Sequence, residues 1–234
     1  MRAARIGGWS LVVAAFAFMA VFGYLAVQFE YPDVLDGKAA DVLPALLAMG
    51  GEGRAVWSLY GILPLLLIPA GLGAHALLRP TAATAARAAV VLATISAVSM
   101  LLGLFRWPSI QWALAQSYVA SNDAAHHAAI SAVFDGLNSY LGNFIGEFVG
   151  ELTMNGFFLA VALGSLRDRL LPRWSAVAGA AAALAGLIGM WRNVTPAVSM
   201  VAEVENAILP IWMITLGILF IRAGRTPRGD GVIA

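Results

Sequence analysis

Glu147 and Glu151 stand four residues apart within Leu141-Gly142-Asn143-Phe144-Ile145-Gly146-Glu147-Phe148-Val149-Gly150-Glu151, an apolar run that with its flanks is long enough to cross a bilayer. Side chains four apart on a helix are neighbours, so two ionised carboxylates there repel, and surrounding hydrocarbon penalises charge on either. A proton or a cation between them relieves both costs. The chemistry open to such a pair is proton exchange, cation binding, or acid–base catalysis in which one carboxyl gives a proton and the other takes one. Arg106 and Arg192, at the ends of two other apolar runs, are the cations expected beside them, and Asn143, Glu203 and Asn206 complete the expected ligand- or ion-binding set.

A helical projection at 100° per residue puts Gly136, Asn143, Glu147, Gly150 and Met154 in one narrow sector. Leu141, Ile145, Phe148, Val149, Leu152 and Leu159 lie opposite, as a lipid-facing side would. Gly142, Gly146 and Gly150 repeat every four residues, a small-residue row that lets a second backbone come close and is expected to serve helix packing. Turned outward, the same row would serve an oligomer or a membrane partner.

Other chemistry is poorly represented. Cysteine is absent, which excludes disulfides, thiolate metal sites and thiol nucleophiles. No Glu-x-x-His pair accompanies the two glutamates, as a di-iron carboxylate site would need. His126 and His127 are adjacent and project about 100° apart on a helix, so they do not converge on one ion, and His75 reads as a packing or interfacial group. No metal site is expected. The only lysine, Lys38, falls in a loop, and no glycine-rich phosphate loop or Gly-x-Ser-x-Gly nucleophile motif occurs. No cofactor is assigned, and no nucleic-acid partner is expected.

The elements that must carry these residues follow from composition. Of 234 residues, 61% are hydrophobic and 12% charged, against about 45–50% and ~25% in soluble domains, so the partner of this chain is a lipid bilayer. The expected fold is all-α, a polytopic transmembrane bundle forming a single integral membrane domain over 1–234. Its six helices cover about 7–28, 57–78, 88–105, 138–164, 174–191 and 201–222. The first is read as an uncleaved span, because its apolar stretch outruns a signal sequence. Trp174 and Trp191 bracket the fifth in the manner of interfacial aromatics.

An N-in, C-in arrangement leaves only Lys38, Arg54, Arg106 and Arg192 of the 14 basic residues outside, and only Asp168 and Asp230 of the 13 acids inside. Arg2, Arg5, Arg79, Arg87, Arg167, Arg169, Arg173, Arg222, Arg225 and Arg228 then face the cytoplasm. From an outer entry near Tyr140, Glu147 is expected about 10 Å deep and Glu151 about 16 Å deep, at ~1.5 Å per residue. Two outer connections are long. In 29–56, Val42–Met49 is apolar enough for a short interfacial helix. In 106–137, Pro108 is expected to end the third span or start a new helix, with Ile110–Val119 in the interface and a fourth helix beginning near Ala124 after Ser121-Asn122-Asp123. Pro64 and Pro69 are expected to kink or break the second span.

The first span with its basic Met1–Arg5 start, the segment Leu104-Phe105-Arg106-Trp107-Pro108, the Gly146-Glu147 region and Leu166-Arg167-Asp168-Arg169-Leu170-Leu171-Pro172-Arg173-Trp174 together resemble a family of bacterial six-span membrane proteins, the domain of unknown function 4386. The resemblance covers most of the chain. It implies six helices and a bacterial inner-membrane location, and it carries no activity or catalytic residue.

The function expected from the residues is that of a multi-pass protein with an outward-facing polar intramembrane cavity, binding or transporting a small solute, cation or protons through Glu147 and Glu151. Two other readings stay open: an intramembrane acid–base enzyme acting on a lipid or isoprenoid-like substrate, and an accessory or sensor subunit of a membrane complex.

Overall fold

A computed structural model describes residues 1–168 and 171–225. Arg169, Leu170, Arg228 and Asp230, used above for orientation or resemblance, lie outside the described residues. Among those described, every regular element is helical and no strand occurs. Six helical stretches are long and apolar enough to cross a membrane: Arg2–Phe29, Gly50–Leu78, Ala83–Val119, Ala124–Leu166, Arg173–Asn193 and Pro196–Ala223. The chain is a multi-pass membrane protein.

The α-helices of the described residues are α1 (Arg2–Phe29), α2 (Ala39–Ala48, a short apolar helix between the first two stretches), α3 (Gly50–Ile62), α4 (Leu67–Leu78), α5 (Ala83–Phe105), α6 (Trp112–Val119), α7 (Ala124–Leu137), α8 (Gly150–Asp168), α9 (Arg173–Gly189) and α10 (Ser199–Ala223). Widened π-helical turns, Trp107–Gln111 and Asn138–Val149, join α5 to α6 and α7 to α8. Short 3-10 turns occupy Asp33–Asp36, Leu63–Leu66, Met190–Asn193 and Pro196–Val198. Pro64 sits in the second of these, so the expected break in the second span is a tightened turn between α3 and α4.

Pro108, expected to end the third span or start a new helix, stands in the first positions of the widened Trp107–Gln111 turn, inside a helical stretch that continues through it. The helix passes from α5 into α6, with the Gln111 N–H donating to the Arg106 carbonyl five residues back at 2.8 Å. A proline ring clashes with the carbonyl four residues before it and donates no bond; widening the turn moves that carbonyl aside. The carbonyl of Pro108 is taken by Arg54 Nε at 2.9 Å, with the Arg54 guanidinium carbon 5.5 Å from the Trp112 ring centre. Arg54→Ala is therefore expected to lower stability by about 1 kcal/mol, the value of a charged hydrogen bond discounted for exposure. The midpoint of thermal unfolding in detergent, read beside Arg54→Lys, checks this. The fourth helix begins where the capping signal places it: Asp123 precedes Ala124, and its carboxylate accepts from the Ala125 N–H at 3.0 Å.

The chain divides into two compact units. One comprises Met1–Ala15, Leu66–Ile95 and the described part of Leu152–Ala234; the other comprises Phe16–Leu65 and Ser96–Glu151. In the first, α1 has two glycines side by side that meet two different helices. A Cβ on Gly7 would lie 2.8 Å from the Gly73 Cα of α4, and one on Gly8 would lie 2.5 Å from the Gly217 carbonyl oxygen of α10. Helices this close are held by van der Waals contact of backbone on backbone, the contact that small residues permit in a membrane. Helix α10 also packs along α9, where the Trp212 ring fills the space that Gly179 leaves.

In the second unit α3 packs on the Trp107–Gln111 turn, and α2 packs on α6 and α7. Its centre is aromatic. Trp57 and Trp107 are both fully buried and stack with ring centres 4.9 Å apart and planes 21° off parallel. Phe29 meets both edge-on, at 5.8 and 5.6 Å.

Candidate functional site

Arg106 closes the last turn of the α5 segment and is only 4% exposed. Its guanidinium has a built seat. Nε donates to Asn138 Oδ1 at 3.0 Å, Nη1 donates to the Gly103 carbonyl at 2.6 Å, and its carbon lies 5.0 Å from the Trp107 ring centre. Gly142 supplies the room: a Cβ there would stand 2.7 Å from the guanidinium carbon.

Gln111, fully buried, donates its Nε2 to the same Asn138 oxygen at 3.1 Å. The amide orientations follow from the arginine. A guanidinium only donates, so the Asn138 atom it meets is oxygen, and that oxygen receives nitrogen from Gln111. Gln111 Oε1 therefore points away from the pair, buried and without a protein partner. The indole Nε1 atoms of Trp57 and Trp107 are likewise buried and unpartnered. Burying a polar atom with no bond costs on the order of 1–3 kcal/mol, and three such atoms belong to the cluster in which Trp57 stacks on Trp107, Trp107 meets Arg106, and Gln111 shares the Asn138 oxygen with it.

The helix carrying the two glutamates departs from the 100° projection. Ile130, Phe134, Asn138, Gly142, Gly146 and Gly150 are all buried, one every four residues, whereas Tyr140, Phe144 and Leu152 are exposed. In an α-helix of 3.6 residues per turn each four-residue step overshoots by about 40°, and five such steps would carry the row to the opposite side. In the π-helical Asn138–Val149 segment a four-residue step falls short of a full turn and brings the row back. The projected sector of Gly136, Asn143, Glu147 and Gly150 is accordingly not one face. Gly136 is open, with nothing within 4 Å of a Cβ, Asn143 and Glu147 are half-buried, and Gly150 is buried.

The row meets α5 of the same chain, where the accessory-subunit reading needs it to face another chain. Gly142 lies on Arg106, Gly146 on Gly103, and Gly150 on Met100, while the Gly150 carbonyl accepts from Ser96 Oγ at 2.8 Å. Glu147 lies within electrostatic reach of both the Arg106 guanidinium and the Tyr60 hydroxyl. The Tyr60 and Tyr31 rings are 6.1 Å apart, and Tyr31 sits edge-on to Trp57 at 5.7 Å. Glu151 is half-buried one turn beyond Glu147.

Arg106, Asn143, Glu147 and Glu151 thus belong to the second unit, and Arg192, Glu203 and Asn206 to the first. Arg192 is half-buried in the 3-10 turn after α9. Glu203 and Asn206 are exposed on α10, and it is Glu205 between them that is buried, at 6% exposure. Sequence reading missed Gln111, Asn138, Trp57 and the Trp107 indole as site groups. One signal was available: Asn138 extends the four-residue glycine row by one step toward the N-terminus. His126 and His127 are held by the end of α6 and the turn after it, His126 at Ser117 Oγ (3.0 Å) and His127 at the Ser121 carbonyl (2.7 Å), with the His127 ring stacked on Tyr118.

A cavity of about 250 Å³ in the second unit is lined by Tyr24, Gln28, Ala45, Ala48, Met49 and Glu52, with the Tyr24 hydroxyl donating to Glu52 at 3.2 Å. The glutamate pair does not line it.

No curated protein and no solved structure matches the chain. Residues 6–224 match the family described as a domain of unknown function, DUF4386, and the chain belongs to that family.

Proposed function

We propose that this is a bacterial inner-membrane protein with both termini cytoplasmic, and that it binds a small polar solute beside Arg106 and exchanges protons with it through Glu147 and Glu151. The observation that supports this reading is the set of three fully buried, unpartnered polar atoms in the arginine's cluster: two indole N–H donors and one amide oxygen. A solute carrying a carboxylate or carbonyl together with an amino or hydroxyl group has the acceptors and donor that these atoms call for. The Trp57–Trp107 stack offers it an apolar wall, and the guanidinium attracts its negative end. Glu147, within reach of the same guanidinium, is placed to take up a proton as charge arrives, and Asn143 and Glu151 flank it on the same helix.

Native mass spectrometry of the detergent-extracted protein, beside Trp107→Phe and Glu147→Gln, tests this. Trp107→Phe keeps an aromatic group but removes the indole N–H together with part of the stack on Trp57, so a small-molecule adduct carried by the wild type is expected to fall at least tenfold in occupancy. Glu147→Gln is expected to abolish the pH dependence of that occupancy. Wild type and variants carrying the same adducts, or none, would sink the reading.

A further inference from the structure

The first turns of α1 carry a feature that the solute site does not use. Arg2, Arg5, Ile6 and Trp9 recur at the spacing of one helical face, and all four are exposed, Ile6 by 50% and Trp9 by 54%. The opposite side of the same turns, Ala4, Gly7, Gly8 and Leu11, is buried. The exposed face forms one wall of an open cavity of about 380 Å³, whose other wall is Gly224 at the end of α10. Met1 fixes this wall to α10, its ammonium donating to the Gly224 carbonyl. Among the described residues, those lining the cavity bring two guanidiniums and no carboxylate. Arg225, the next residue along, adds a third exposed guanidinium.

The order of chemistry along this face matches the order across a membrane surface. Hydrocarbon about 30 Å thick within a bilayer of ~40–45 Å leaves roughly 5–8 Å of headgroup on each side. From Arg2 to Trp9 is about 10 Å along the helix axis at ~1.5 Å per residue. With the arginines at phosphate level, Ile6 and Trp9 reach the hydrocarbon boundary, where exposed tryptophan is at home. Guanidinium forks bind phosphate oxygens in pairs.

From these walls we infer that the cavity is a binding site for an anionic phospholipid, its phosphate held by Arg2 and Arg5 and the start of its acyl chains lying on Ile6 and Trp9. Free phosphate shares the headgroup chemistry but has nothing for Ile6 and Trp9 to cover. The inference is independent of the solute site, and its failure leaves that reading untouched.

The test uses the full-length protein with its affinity tag removed, washed in detergent and then given phosphatidylglycerol, phosphatidylcholine or inorganic phosphate, with retained species read by native mass spectrometry. The wild type is expected to keep phosphatidylglycerol in at least tenfold preference to phosphatidylcholine. Each basic group near a membrane surface contributes about fivefold, so Arg2→Gln/Arg5→Gln is expected to lower retention about 25-fold. Arg173→Gln, an exposed arginine that does not line the cavity, is expected to leave retention unchanged. Both substituted arginines are exposed, and an unchanged thermal midpoint verifies that the double variant is folded. An equal loss in Arg173→Gln, or none in the double variant, overturns the site as a general surface-charge effect. Arginine-dependent retention of inorganic phosphate without lipid preference overturns the lipid as its occupant.

Discussion

Gly146→Val is expected to lower stability by about 3 kcal/mol or more, and to do so without touching any charged group. A Cβ on Gly146 would lie 2.9 Å from the Gly103 Cα, and one on Gly103 would lie 2.6 Å from the Gly146 Cα. Both obstacles are backbone, so no rotamer change relieves the clash; the helices themselves must separate. Overpacking a close-packed site costs about 1–3 kcal/mol for added methylenes, and valine adds three carbons where none fits. Gly146→Ala is expected to cost less, about 2 kcal/mol. Gly136, ten residues earlier on the same continuous helix, reverses the sign. Nothing lies within 4 Å of a Cβ there, so Gly136→Ala is expected to stabilise by up to ~1 kcal/mol through helix propensity alone. Thermal unfolding of the three variants in one detergent measures the contrast. Equal midpoints for Gly146→Val and Gly136→Ala would remove the close crossing from consideration.

Asn138→Leu is the second large effect, about 3 kcal/mol destabilising. The average interhelical hydrogen bond in a membrane is worth only about 0.6 kcal/mol, because its partners usually find substitutes when it is lost. Here substitution is hard. The Asn138 oxygen serves two donors at once, the Arg106 Nε at 3.0 Å and the Gln111 Nε2 at 3.1 Å, and both side chains are buried. Leucine fills a similar volume and leaves a buried charge with one acceptor fewer, a loss of the kind that costs about 3–5 kcal/mol when nothing relaxes. Pairing Asn138→Leu with Arg106→Met removes the charge together with its acceptor. The double variant is expected to be at least 1 kcal/mol more stable than the sum of the two single changes implies, a coupling that a double-mutant cycle on unfolding midpoints reads directly. Additivity would mean that the arginine and the asparagine do not depend on each other.

The six spans were legible because a bilayer imposes a length. Runs of about 20 apolar residues satisfy it and little else in a chain does. The start of α7 was legible for a local reason, the Asp123 side chain binding the backbone two residues on. At Pro108 the structure shows a widened turn, neither a clean end nor a separate new helix, because the rules for proline assume a turn of fixed width and the Trp107–Gln111 turn is wider. The same assumption blurred the glutamate helix. A fixed 100° step ties Gly136 to Glu147, whereas the widened segment follows a four-residue step and draws Asn138 in line with the glycines.

The seat of Arg106 was legible only in part. The arginine stood out as a charge at the end of an apolar run, but Asn138, its amide partner, and Gln111, which shares that partner, sat in what reads as a surface connection, 106–137 and the first residue beyond it. Which polar groups meet across such a connection depends on how α5 crosses the Asn138–Val149 segment, and that crossing is set by packing rather than by periodicity. The unpartnered indoles could not be read at all, since a tryptophan in sequence does not declare where its N–H points. For Glu203 and Glu205 the reverse holds. They stand two residues apart at the start of the sixth span, and the helix exposes Glu203 while it buries Glu205 to 6% exposure.

The widened Asn138–Val149 turn also governs what changes in length this chain can bear. Deleting any one residue between Asn138 and Gly150 would rotate all that follows by roughly a quarter turn relative to what precedes. Gly146 or Gly150 would then leave α5, and a side chain would arrive where a backbone now passes. Point substitutions at exposed Tyr140 or Phe144 leave that alignment alone. In this segment the number of residues is therefore under tighter physical constraint than the identity of most of them.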